Sequence, residues 1–159
     1  MSTENMNKKL KIFIGADHRG VDFKSKIAAI LKQLGYRVMD MGTNDPVESC
    51  DYPRVAYKVG KAVAKNNNYR GVLVCMSGIG QAIAANKVKG AYAALCYNAE
   101  AAMLSRRHNN ANILVLSSKF IKPKSLKTIL SVWLETEFEG GRHLRRVTQI
   151  KNIEKGKAP

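Results

Sequence analysis

Five short apolar runs, Leu10–Gly15, Arg37–Met41, Gly71–Cys75, Ala91–Leu95 and Asn112–Leu116, alternate along this chain with stretches of helical periodicity. That rhythm constrains the fold more than any other feature. The runs are nearly continuous rather than alternating in polarity, as in strands covered on both faces. The first helical stretch places Phe23, Ile27, Ile30, Leu31 and Leu34 on one face, and Gly35 supplies a stop signal. Further helices are expected over residues 53–66, 79–86, 98–108, 123–136 and 142–154. Strands and helices of these lengths in strict alternation predict an α/β protein, with a five-stranded parallel sheet covered by helices on both sides.

A chain of 159 residues, 45% of them hydrophobic, is long enough for one domain with a substantial core. We expect a single domain over residues 9–154, a disordered lead at 1–8 and a flexible tail at 155–159. No apolar run approaches the roughly 20 residues of a membrane span, and the N-terminal MSTENMNKKL lacks the apolar centre of a signal peptide. The expected location is the cytoplasm.

In an open parallel sheet, ligands bind beyond the carboxyl ends of the strands. Three segments should meet there: Ala16–Gly20 after the first strand, Cys75–Gly80 after the third and Ser117–Lys119 after the fifth. Together they offer a carboxylate, an imidazole, a thiol, hydroxyls and a cation. Residues 75–80, Cys-Met-Ser-Gly-Ile-Gly, run from strand into helix, where unpaired backbone N–H groups suit a phosphate or a developing oxyanion. A thiol at such a junction can have its pKa lowered towards neutrality, the outcome being set by burial and local dipoles. The Gly78-x-Gly80 pair lacks the third glycine of a dinucleotide fingerprint and there is no Walker A lysine, so taken alone the glycines read better as a tight strand-to-helix turn.

Cys50, Cys75 and Cys96 cannot all pair within one chain, and none has zinc-ligand spacing. Neither a disulfide nor a metal is expected, and Cys50 and Cys96 read as small core residues. The net charge of +15 comes from 13 Lys and Arg in residues 1–80 and 14 in 81–159, an even spread without a basic arm. Such a surface attracts anions in general and carries no signature of specific nucleic-acid recognition.

Several motifs in order give the chain a resemblance: GADHRG (15–20), DYP (51–53), CMSGIG (75–80), AANK (84–87), LSRRHNNAN (104–112) and EGGRHLRRV (139–147). It resembles the ribose/galactose isomerase family, which contains the type B ribose-5-phosphate isomerases and the galactose-6-phosphate isomerase subunits. The resemblance covers Lys9 to Glu154. It implies a three-layer α/β/α Rossmann-like domain acting as a homodimer or a dimer of dimers, with the active site at a subunit interface. It also implies aldose–ketose isomerisation of a phosphorylated sugar through an enediolate, with no cofactor and no metal.

On that resemblance Cys75 is the base that moves a proton between C1 and C2, and His108 opens the cyclic sugar. Met76, Ser77, Gly78, Ile79 and Gly80 form an anion hole, Asp17 and Asn109 bond sugar hydroxyls, and Tyr52 closes the pocket. His18, Arg142 and Arg146 hold the phosphate, the two arginines sharing a helix face at i, i+4. Without the resemblance, that arginine pair reads as a solvated basic face and His108 as a helix-end histidine favoured by the dipole. Arg19, Arg106, Arg107, Arg145 and His143 keep the solvated reading.

Two positions depart from the family pattern. Met76 stands where glycine is usual, which restricts the backbone and narrows the site. Lys119 replaces a phosphate-contacting arginine, keeping charge but losing the fork. Gln81 occupies the position of a glutamate that is the base in another branch, which leaves Cys75 in that role here. The expected reaction is interconversion of ribose 5-phosphate and ribulose 5-phosphate in the non-oxidative pentose phosphate pathway. The rivals are isomerisation of galactose 6-phosphate or allose 6-phosphate, a non-catalytic phosphosugar-binding protein, and a nucleotide-binding domain.

Overall fold

The structure is a computed structural model that describes residues 10–159. The expected lead at 1–8 lies outside the described residues. In chain order the elements are β1 (Lys11–Ala16), α1 (Val21–Gln33), β2 (Arg37–Asp40), α2 (Tyr52–Val63), β3 (Tyr69–Cys75), α3 (Ile79–Ala85), β4 (Ala93–Leu95), α4 (Ala99–Asn109), β5 (Ile113–Ser117), α5 (Leu126–Glu135) and α6 (Gly141–Glu154). The five strands form one parallel sheet in the order β2-β1-β3-β5-β4.

Side-chain alternation along the strands builds two cores. Ile12, Ile14, Val72, Val74, Leu114 and Leu116 face Phe23, Ile27 and Leu31 of α1, Ala102 of α4 and Ile129, Leu130 and Trp133 of α5. Phe13, Leu73, Ile113 and Val115 face Val55, Ala56, Val59 and Val63 of α2 and Ala85 of α3. The expected three-layer α/β/α architecture is present. Gly35, with φ +85°, ends α1 as expected: its N–H bonds the Lys32 carbonyl, and the Tyr36 N–H returns to Leu31 at 3.0 Å.

Two expected elements are revised. The fourth strand begins at Ala93, not Ala91, because side chains replace the ladder there. Asn112 accepts from the Tyr92 N–H and donates to the Gly90 carbonyl, both at 2.8 Å, while Asn86 bonds the Ala93 N–H and C=O at the same distance. The helix expected over 123–136 opens with a 3-10 turn at Pro123–Ser125 and is α-helical only from Leu126.

The chain turns to opposite sides after β1: β2 lies on one flank and β3 on the other. The carboxyl ends of β1 and β3 therefore flank a topological switch point, the expected place for a ligand.

Candidate active site

At that switch point Cys75 ends β3 and Asp17 follows β1, and both are buried. The Gly78 N–H donates to Cys75 Sγ at 3.1 Å. Gly78 has φ +85°, and a β-carbon there would meet Leu95 at 2.5 Å, so only glycine lets the turn fold back over the thiol. The turn is clamped from β5: Ser117 Oγ donates to the Met76 carbonyl at 2.6 Å, and the Ser118 and Lys119 N–H groups bond the Cys75 and Met76 carbonyls at 3.0 and 3.2 Å. The three strand-end segments meet on one edge, as the sequence predicts.

Burial and local dipoles act on the Cys75 thiol in opposite directions. Burial pushes the thiol up, the N–H groups of Gly78, Ser77 and Gln81 pull it down, and the Asp17 carboxylate adds to the rise; the net direction is up. Burial wins over the helix start because α3 has only seven residues and Cys75 is buried. Asp17 is raised too, chiefly by burial, although His18 and the Arg19 and Gly20 N–H groups favour its charged form.

Around this pair the other candidates gather. The Cys50 N–H donates to His18 Nδ1 at 3.2 Å, which leaves the His18 proton on Nε2 as an outward donor. Tyr52 lies against Gly80, where a β-carbon would come 2.6 Å from the ring. Ser77 Oγ accepts from the Ile79 N–H at 3.3 Å. Met76 has an ordinary negative φ, so a side chain is accommodated without backbone strain, and its sulfur lies 3.5 Å from Arg19 Nη1. Lys119 is exposed, its ammonium 5.6 Å from the centre of the Phe120 ring. Gln81 is fully buried, and neither end of its amide finds a partner among the described residues.

His108, Asn109, Arg142 and Arg146 form a second group. Because β4 and β5 are parallel neighbours, α4 must return from the carboxyl edge of the sheet to the amino edge. Its 11 residues span roughly 16 Å, and His108 sits in its last turn. Cys75 and His108 of one chain therefore lie at opposite edges. α6 stays with His108: the Glu139 N–H bonds the Arg107 carbonyl at 3.0 Å just before the helix starts, and Glu154 at its far end bonds Gly90 and Tyr92 ahead of β4. Arg142 and Arg146 are exposed on α6, as their spacing predicts.

Two residues read as solvated are not. Arg106 is buried, donating to Asn110 Oδ1 and the Ala111 carbonyl at 2.9 and 2.6 Å, because left-handed Asn110 leaves the end of α4 open to a guanidinium. Burial, with Arg70 nearby, pushes its pKa down to about 10. His143 is 4% exposed and stacks on His108, with ring centroids 4.1 Å apart and planes at 6°. The signal for both was their placement beside motif residues. The ligand atoms of His108, Glu139 and His143 lie within 4.8 Å of one another. Parallel stacked imidazoles point their lone pairs side by side rather than at one centre, and Glu139 is already bonded to Arg107 at 2.6 Å, so the arrangement fits proton transfer better than metal coordination.

The family described as Ribose/Galactose Isomerase matches residues 12–150. The ribose-5-phosphate isomerase B of Escherichia coli (strain K12) is 42% identical over 144 residues, covering 91% of this chain and 96% of that protein. The D-erythrulose-4-phosphate isomerase of Pectobacterium atrosepticum is 40% identical over 141 residues, 89% of this chain and 93% of that one. Among solved structures, ribose-5-phosphate isomerase B from Mycoplasma genitalium with bound ribulose-5-phosphate is 42% identical with a TM-score of 0.88, covering 92% of this chain and 97% of that chain.

Proposed function

We propose that this chain, which belongs to the Ribose/Galactose Isomerase family, interconverts ribose 5-phosphate and ribulose 5-phosphate. The observation that carries the reading is Cys75 at the switch point, its sulfur 3.1 Å from the Gly78 N–H and its charge coupled to that of buried Asp17. Cys75, as thiolate, takes the proton from C2 of the open aldose and returns it to C1, while the proton of the C2 hydroxyl passes to O1 across the enediolate. The N–H groups of residues 76–80 stabilise the enediolate oxygen, and Asp17 and Asn109 orient hydroxyls. A raised thiol pKa makes the resulting thiolate a stronger base once the substrate has excluded water. Phosphate binding by His18, Arg142, Arg146 and Lys119 holds C1 and C2 against the sulfur. Tyr52 covers the sugar.

His108 opens the ring, and the two-edge placement supports a site shared between subunits of a homodimer, in which one copy supplies Cys75 and Asp17 and its partner His108, Asn109, Arg142 and Arg146. Ile79 and Ile83, one turn apart on α3 and each more than half exposed, give that contact an apolar surface beside the thiol. Among the described residues no helix is long and apolar enough to cross a membrane. The test is metal-free turnover of ribose 5-phosphate with six-carbon phosphates and erythrose 4-phosphate alongside. Fast five-carbon turnover that Cys75→Ala abolishes while phosphosugar binding persists supports the reading; undiminished turnover in Cys75→Ala overturns it.

A further inference from the structure

The stacked pair at the end of α4 holds one histidine that the chemistry above does not use. We propose that His143 is a positioning residue for His108, holding its imidazole by face-to-face stacking in the orientation that opens the cyclic sugar. This rests on the assignment of ring opening to His108.

The geometry separates His143 from a substrate contact. It is 4% exposed while His108 is half-buried, so His143 lies behind His108 and presents it outward. Its own place is fixed at the first turn of α6, where its N–H bonds the Gly140 carbonyl at 2.9 Å. Arg107 of α4 bonds Glu139 Oε2 at 2.6 Å, which pins the segment leading into α6 against the end of α4 beside the stack.

The groups facing the pair are Arg107 from α4, Glu139 from the turn, and Arg142 and Arg146 from α6. Burial, His108, Arg142 and Arg146 hold the His143 pKa down and only Glu139 opposes them. Arg142 Nε lies 3.4 Å from His143 Nε2, a contact that requires a neutral ring with its proton on Nδ1. A neutral, immobile plate beneath His108 limits the rotation of that ring about its own side-chain bonds.

Orientation matters because ring opening uses one imidazole twice. The hydroxyl on C1 gives its proton to His108 as the C1–O4 bond breaks. The bonding pair goes to O4, C1 becomes a carbonyl, and O4 takes a proton from the imidazole. The sugar is isomerised from ring to chain with no net gain or loss of protons or electrons. A tilted ring serves one oxygen and misses the other.

Substrates that cannot close a furanose bypass this step. Erythrose 4-phosphate carries phosphate on O4, and ribulose 5-phosphate carries it on O5, so both are open chains. The experiment compares ribose 5-phosphate turnover with erythrose 4-phosphate turnover and with deuterium uptake at C1 of ribulose 5-phosphate, in His143→Ala, His143→Phe and His108→Asn. We expect His143→Ala to lose ten- to a hundredfold on ribose 5-phosphate and less than threefold on the open chains. His143→Phe, which stacks without titrating, should recover most of the loss.

Equal losses on ring and open-chain substrates, wild-type ribose turnover in His143→Ala, or a His143→Phe as poor as His143→Ala each overturn the proposal. If His108→Asn itself shows no preference for losing the ring-closed substrate, the assignment of ring opening to His108 has failed, and the role of His143 with it. A selective loss in His108→Asn with an unaffected His143→Ala defeats the positioning role alone.

Discussion

Tyr52 packs on Gly80 so closely that a β-carbon on the glycine would lie 2.6 Å from the tyrosine ring and 2.9 Å from its hydroxyl oxygen. Gly80 is in the first turn of α3 and Tyr52 opens α2, so this contact joins the turn around Cys75 to the loop that follows β2.

Gly80→Ala should displace Tyr52 without disturbing the helix, since alanine is the better helix former by about 1 kcal/mol. We expect a KM for ribose 5-phosphate raised about tenfold with the melting temperature unchanged or higher. Steady-state kinetics beside thermal denaturation reads both.

Asp17 should cost the fold stability in return for its chemistry. Its folded pKa lies above the unfolded value, so the native state holds the proton more tightly, and stability falls as pH rises from the ordinary aspartate range through the raised folded pKa. At neutral pH the buried charge remains as a penalty. Asp17→Asn retains an oxygen for the Arg19 N–H, 3.1 Å away in the wild type, and should melt at a higher temperature than wild type at pH 7, with the difference shrinking in acid. Isomerisation should fall by at least about a hundredfold.

Gln81 is buried with both amide atoms lacking partners among the described residues. Gln81→Met keeps the volume and removes those groups, and should stabilise the protein by about 1–3 kcal/mol. Urea denaturation of the two proteins decides it.

The separation of Cys75 from His108 makes complementation a direct measure of site sharing. Cys75→Ala and His108→Asn should each be inactive alone. Unfolded together and refolded at equal ratio, half of the dimers are mixed and each carries one intact site, so about a quarter of wild-type activity should return. No recovery, with mixed dimers verified by mass, would mean that both residues act from one chain.

Lys24 shows the kind of feature that stays hidden in sequence. It is buried on α1, yet its ammonium meets Asp40 Oδ2 and the Thr43 carbonyl at 2.6 Å and Asn44 Oδ1 at 2.8 Å, all near or beyond the end of β2. A lysine within an amphipathic helix reads as solvated because its partners are 16 to 20 positions away in the chain. His143 was misread for the same reason, its stacking partner His108 lying on another helix, whereas Arg106 is satisfied by nearby Asn110 and Ala111 and only its burial depends on what the fold brings to it.

The alternation of strands and helices, the stop at Gly35, the three segments that meet at the carboxyl edge and the family motifs are all written in local spacing and residue type. Tertiary structure alone decided the rest. The sheet order puts β5 between β3 and β4, and the parallel β4–β5 pairing sends the end of α4 to the amino edge, which parts His108 from Cys75 within one chain. Burial, a sum over neighbours from distant elements, raised the Cys75 thiol and set His143 beneath His108. Periodicity reports which face of an element is apolar; it carries no information about which edge a helix end reaches or how much water surrounds a side chain there.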